Sequence, residues 1–101
     1  MHKLVVLYPH PDDPQRFRDY YREHHLPLAA KLPALLAWEV GFPTLLGPGE
    51  SEHFCVFQAT FKSEKALFDA LGSPEGKALA DDVTNYSPKG ATLMYYETGE
   101  V

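Results

Sequence analysis

A single cysteine, Cys55, is the whole of this chain's thiol chemistry. One thiol closes no internal disulfide and builds no cysteine-based zinc site, so a reducing compartment suits the protein. Long apolar runs are missing as well. No stretch approaches the roughly 18 residues of a membrane span, and Leu4-Val5-Val6-Leu7, closed at once by Tyr8-Pro9, is far too short for the core of a signal peptide. The expected location is cytoplasmic, with no membrane partner. Basic runs are also absent: nine lysines and arginines are scattered among fourteen acids for a formal charge of −5. Nothing there tracks a phosphate backbone, and nucleic acid is not an expected partner. Gly47-Pro48-Gly49 lacks the surroundings of a phosphate loop and reads as a turn. His2, His10, His24, His25 and His53 never fall at a ligand spacing such as His-Glu-x-x-His. Neither a metal nor another cofactor is expected from the residues.

What remains is an ordinary globular chain. Its 101 residues are 45% apolar and 23% charged, enough for one domain spanning 1–101 and outside the composition of disordered chains. Lys3 to Tyr8 is a β-branched run stopped by Pro9-His10-Pro11. Asp12-Asp13-Pro14 then supplies acidic caps and a helix-starting proline. Phe17, Tyr20, Tyr21, His24, His25 and Leu28 recur at three- and four-residue spacings, one face of a helix. Pro27 lies inside that pattern, where its ring opposes the carbonyl of Glu23, so the helix is expected to kink or end near His25. A short helical piece over Leu28 to Leu32 is expected after it.

Leu35 to Phe42 reads as a second strand, and His53 to Phe61 as a third that alternates. Cys55, Phe57, Ala59 and Phe61 point one way; Phe54, Val56, Gln58 and Thr60 point the other. Ser63 caps a helix through Leu67 and Leu71, Ser73-Pro74 restarts it through Leu79 and Val83, and Ala91 to Glu97 forms a fourth strand. The order βαββαβ implies an α+β, ferredoxin-like fold with a four-stranded antiparallel sheet and both helices on one face. Strands apolar on both sides leave the other face in need of cover, and a homodimer packing sheet on sheet is the simplest.

The segment Tyr20-Tyr21-Arg22-Glu23-His24-His25-Leu26-Pro27-Leu28-Ala29, with Leu32-Pro33 following, resembles the first-helix signature of the EthD family, named for ethyl tert-butyl ether degradation. Lys3 to Asp13, Ser73-Pro74-Glu75-Gly76 and Asp82 to Tyr86 extend the likeness over nearly the whole chain, and His25-Leu26-Pro27-Leu28 is its most specific piece. The resemblance implies a dimeric α+β barrel, a superfamily of cofactor-free monooxygenases, polyketide cyclases, muconolactone isomerases and haem-handling enzymes. It also implies oxidative catabolism or secondary metabolism, in a family associated with ether degradation beside a cytochrome P450 system. A fold shared so widely does not select a reaction.

His25 is the first catalytic candidate, because imidazole exchanges protons near neutral pH without help. At a helix end it would meet carbonyls that favour the protonated ring. The competing role is structural: a hydrogen bond to a carbonyl that Pro27 leaves free. Tyr21, four residues earlier on the same face, is the second candidate. Tyr8, Trp38, Phe57 and Tyr86 are candidate ligand-binding residues, aromatic groups suited to a small apolar or aromatic molecule. Cys55 reads as a buried hydrophobe and Asp81-Asp82 as a solvated helix surface. Two functions stay open: an oxidoreductase, cyclase or isomerase using His25, and a non-catalytic ligand-binding protein that supports a partner oxygenase. If His25 is catalytic, His25→Ala should abolish turnover with a nearly unchanged melting temperature, whereas a collapse in stability would indicate the structural role.

Overall fold

The computed structural model describes residues 1–99. Four strands, β1 (His2–Pro9), β2 (Ala37–Gly41), β3 (His53–Phe61) and β4 (Thr92–Glu97), form one antiparallel sheet in the order β2-β3-β1-β4. The helical segments are α1 (Pro14–Tyr20), a π turn (Tyr21–His25), α2 (Leu26–Ala29), α3 (Glu64–Leu71) and α4 (Pro74–Tyr86). This is the expected ferredoxin-like βαββαβ architecture, with β1 and β3 at the centre.

Register explains the core. Leu4, Val6 and Tyr8 of β1 pair with Ala59, Phe57 and Cys55 of β3, so their side chains share a face. On that face they meet Phe17, Tyr21, Ala29, Leu67, Ala70 and Tyr86 from the helices. The opposite face carries Val5, Leu7, Val56, Met94 and Tyr96 among Lys3, Glu39, Gln58, Thr60 and Thr92. It is less apolar than simple alternation implies, because Phe54 does not stay there. The register shifts between Tyr8 and Pro9, and the Phe54 ring lies 5.1 Å from Phe17 and 5.2 Å from Phe42. Local twist at such an irregularity re-aims a side chain.

The regular helix is interrupted near His25, as expected, and the interruption takes the form of a π turn. The Leu26 N–H donates to the carbonyl of Tyr21, five residues back, and this wider turn runs directly into α2. Pro27 then falls in the first turn of α2, where a missing N–H costs little. A π turn absorbs what would be a proline clash in a regular helix. The helical piece therefore ends earlier than expected, at Ala29 rather than Leu32.

The second helical region is broken as expected. The Ser63 hydroxyl accepts from Ala66 N–H and the Ser73 hydroxyl from Gly76 N–H, both at 3.1 Å. Gly76 marks the junction of α3 and α4: a Cβ there would sit 2.3 Å from the Ala70 carbonyl oxygen and 2.4 Å from that of Leu71. Both neighbours are backbone, so the helices themselves would have to part. Gly76→Ala should destabilise the fold by about 1–3 kcal/mol, the usual cost of overpacking. Urea unfolding should show this as a lower midpoint with an unchanged slope.

Candidate functional site

Where the π turn of the first helical region meets the last turns of α4 and the end of β1, seven side chains form one hydrogen-bonded network. His25 is buried, and its Nδ1 lies 2.9 Å from Oδ2 of Asp82. Its Nε2 lies 3.1 Å from the Tyr86 hydroxyl, which is 2.8 Å from the Tyr8 hydroxyl. Tyr21 reaches Tyr8 through a long contact of 3.5 Å. On the far side, Oδ1 of Asp82 accepts from Tyr20 at 2.6 Å and from Asn85 at 3.0 Å.

The charges choose the direction of these bonds. Burial pushes the His25 pKa below its usual 6.5, against the opposing pull of Asp82, so the neutral ring is favoured. Burial alone would raise the Asp82 carboxyl, but hydrogen bonds from Tyr20, Asn85 and His25 outweigh it and hold the group below its usual 3.8. Asp82 is thus an acceptor, and Nδ1 of His25 must donate to it. Nε2 is left as the acceptor of a neutral imidazole. Tyr86 then donates to Nε2, Tyr8 donates to Tyr86, and Tyr21 donates to Tyr8. Burial raises the pKa of all three tyrosines, so each hydroxyl keeps its proton at rest.

This environment replaces the helix-end argument for His25. The helix continues past residue 25, and carbonyls at its end do not set the charge of the ring; burial and Asp82 do. It also corrects the reading of Asp82 as a solvated residue. Asp81 is the exposed one, paired with Lys77, while Asp82 is buried against His25. Its signal was in the sequence: Leu79, Asp82 and Tyr86 follow one helical stripe, and an acid in an apolar stripe needs a partner.

Beside the imidazole, between the sheet and the α2 and α4 helices, lies a cleft of about 310 Å³. Its walls are mostly apolar, with Leu4, Val6, Leu32, Leu79, Val83 and Leu93 among them. Of the expected site residues, His25, Tyr8 and Phe57 border this cleft. Tyr21 and Tyr86 stand behind it in the hydrogen-bonded chain. Trp38 is not among the lining residues: it is part-exposed on β2, stacked 6.1 Å from Phe57. An edge strand extends beyond the helices, which is why the helix-facing side of Trp38 goes uncovered. Cys55 is buried, its thiol pushed up to about 12 by desolvation, and is no nucleophile. Both nitrogens of His25 are engaged, Nδ1 by Asp82 and Nε2 by Tyr86.

The EthD domain family model matches residues 10–89, a span containing the π turn, His25, Asp82 and Tyr86. The chain belongs to the EthD family. An uncharacterized 11.0 kDa protein of Rhodococcus erythropolis, from the thcB-thcC intergenic region, is 30% identical over 94% of this EthD chain and 92% of its own. An EthD family protein of Bacillus halodurans superposes with a TM-score of 0.91 at 32% identity, covering 98% of this chain and 99% of that one. More distant structures share the fold. A dimeric ferredoxin-like protein of unknown function from Thermobifida fusca has a TM-score of 0.72 at 14% identity, covering 96% and 90% of the two chains. SnoaB, a cofactor-independent oxygenase from Streptomyces nogalater, has a TM-score of 0.64 at 14% identity over 99% and 93%.

The site of this EthD domain makes stability depend on pH. With the folded pKa of His25 below 6.5, the unfolded chain takes up a proton first as pH falls, so stability is full above 6.5 and declines as pH drops toward the folded value. Asp82 adds a second loss at lower pH, because its carboxylate is favoured in the folded state. Urea titrations should show unfolding free energy rising with pH up to about 6.5. In His25→Gln this near-neutral slope should shrink, leaving the acidic limb. An unchanged slope would refute the shifted imidazole.

Proposed function

We propose that this EthD protein performs acid–base chemistry on a small apolar or aromatic molecule held in the cleft, with His25 as the proton acceptor and donor and Asp82 as its positioning partner. The observation that carries this reading is a buried imidazole 2.9 Å from a buried carboxylate at the wall of an apolar cleft. The wall supplies few competing polar groups, so His25 is the main proton acceptor along it. Once protonated, the ring is stabilised by the Asp82 carboxylate at 2.9 Å. The chemistry belongs with oxidative catabolism or secondary metabolism, of the oxygenase, cyclase or isomerase kind. A fold shared with a cofactor-independent oxygenase is compatible with it but does not choose among these reactions.

One observation favours the second reading, a ligand-binding accessory protein that supports a partner oxygenase. Both imidazole nitrogens already have partners, so the site is satisfied as it stands. Incubation with quinol, anthrone and lactone panels, followed by mass spectrometry, separates the two. Conversion that falls about 100-fold or more in His25→Gln and Asp82→Asn supports catalysis. Binding without conversion supports the accessory role. His25→Gln is the better probe than His25→Ala, because alanine opens a cavity and removes a donor to Asp82. That truncation should itself cost about 1.5–3 kcal/mol.

The active unit is proposed to be a homodimer. Met94 and Tyr96 are exposed on the open sheet face beside Leu7 and Val56. Leu93, Tyr95 and Trp38 add exposed apolar surface at the sheet edges. Patches of this kind are characteristic of interfaces. Sedimentation equilibrium should give twice the protomer mass of 11.4 kDa. Met94→Lys on the open face should shift the population to monomer without unfolding it, and a wild-type monomer at high concentration would refute the dimer.

A further inference from the structure

The polar end of the cleft does not present a bare imidazole. His25 borders the cleft, yet Nδ1 is held by Asp82 and Nε2 by Tyr86. Tyr86 itself stands outside the lining, whereas Tyr8, the next hydroxyl in the chain, belongs to it. In the directed chain, the Tyr8 oxygen donates to Tyr86 and accepts only a long bond from Tyr21, at 3.5 Å. One lone pair is left over. The buried group with spare hydrogen-bonding capacity at the cleft wall is therefore Tyr8, two bonds away from the base.

We propose that the cleft takes a small aromatic phenol or enol whose hydroxyl docks on Tyr8, and that its proton reaches His25 through Tyr8 and Tyr86 rather than by direct contact. This rests on the reading of His25 as the base. The transfer balances as a shift along existing hydrogen bonds. The ligand O–H breaks and its proton goes to the Tyr8 oxygen. The Tyr8 proton goes to the Tyr86 oxygen, and the Tyr86 proton goes to Nε2. The products are a ligand oxyanion and an imidazolium facing Asp82, with no oxidant or reductant consumed.

Two features narrow the ligand class. Burial raises the pKa of both relay tyrosines, so neither rests as tyrosinate and the protons must shift together. Net transfer to an imidazole is least costly from an oxygen acid of comparable strength, so an alkyl alcohol or an unactivated phenol lies out of its reach, whereas a phenol or enol acidified by conjugation with an electron-withdrawing group comes nearest to it. The apolar walls and the volume of about 310 Å³ suit one or two fused rings rather than a sugar or a nucleotide.

The test uses the full chain with 4-nitrophenol, whose absorbance reports ionisation, and nitrobenzene, which lacks the hydroxyl. Wild type should bind nitrophenol about tenfold more tightly than nitrobenzene, the effect of one buried hydrogen bond. The bound nitrophenol should show the phenolate band at a pH where the free compound is mostly protonated. Tyr8→Phe should erase the preference. Tyr86→Phe and His25→Gln should keep binding but lose the phenolate band. In wild type, nitrogen NMR should show His25 Nε2 gaining a proton with nitrophenol but not with nitrobenzene. Because Tyr8→Phe and Tyr86→Phe cut the path at different hydroxyls, circular dichroism need confirm folding for only one of them.

Equal affinity for the two probes, or binding of neither, overturns the ligand class. A band that survives Tyr86→Phe but not His25→Gln overturns the relay and leaves His25 as a base in direct contact. A band that survives both removes His25 from the chemistry altogether.

Discussion

The hydrogen bond between His25 and Asp82 ties the two helical connections of this fold together inside the protein. One partner comes from the turn after α1 and the other from the penultimate turn of α4, 57 residues later. Without Asp82 the imidazole would have no reason to adopt a single tautomer, and without His25 the carboxylate would lose a donor in a place water barely reaches. The tautomer then propagates. A neutral ring whose Nδ1 donates must accept at Nε2, which sets the hydroxyls of Tyr86, Tyr8 and Tyr21 in one direction.

Geometry of this kind depends on an irregular helix. The π turn over Tyr21–His25 lets the chain accommodate Pro27 and still place Tyr21 and His25 on the buried side, with Arg22, Glu23 and His24 outside. Such turns recur at functional sites because they trade regular backbone bonding for a particular side-chain placement. The neighbouring break between α3 and α4 works in the same sense. Gly76 permits the close junction from which α4 runs down to present Asp82 and Tyr86. Both irregularities border the cleft, and the sheet beneath them is regular where it meets it.

Membership of the EthD family gives the chain its relatives and its fold, and the reaction has to be argued from the site. The site is frugal: one imidazole, one carboxylate and a row of hydroxyls against mostly apolar walls. Such a set can move protons and orient an oxygen. The low polarity of the walls strengthens each of those interactions relative to water.

The strands, the caps at Asp13, Ser63 and Ser73, and the order of elements were legible in the sequence because they rest on local chemistry: alternation, proline geometry and side chains that accept from nearby backbone donors. His25, Tyr21, Tyr8, Phe57 and Tyr86 were legible as candidates because their types and spacings are visible along the chain. Trp38 was misplaced beside the cleft because a β2 aromatic says nothing about where the helices stop. The interruption near His25 was legible but its form was not, because proline forbids a regular turn without saying which irregular one replaces it. By itself the sequence determined which elements form and in what order. Tertiary structure decided that Asp82 faces His25, that burial disfavours the charged imidazole, and that Tyr8 and His25 both border the cleft. Those outcomes depend on distances between segments far apart in the chain and on the exclusion of water, and both come into being only when the helices close over the sheet.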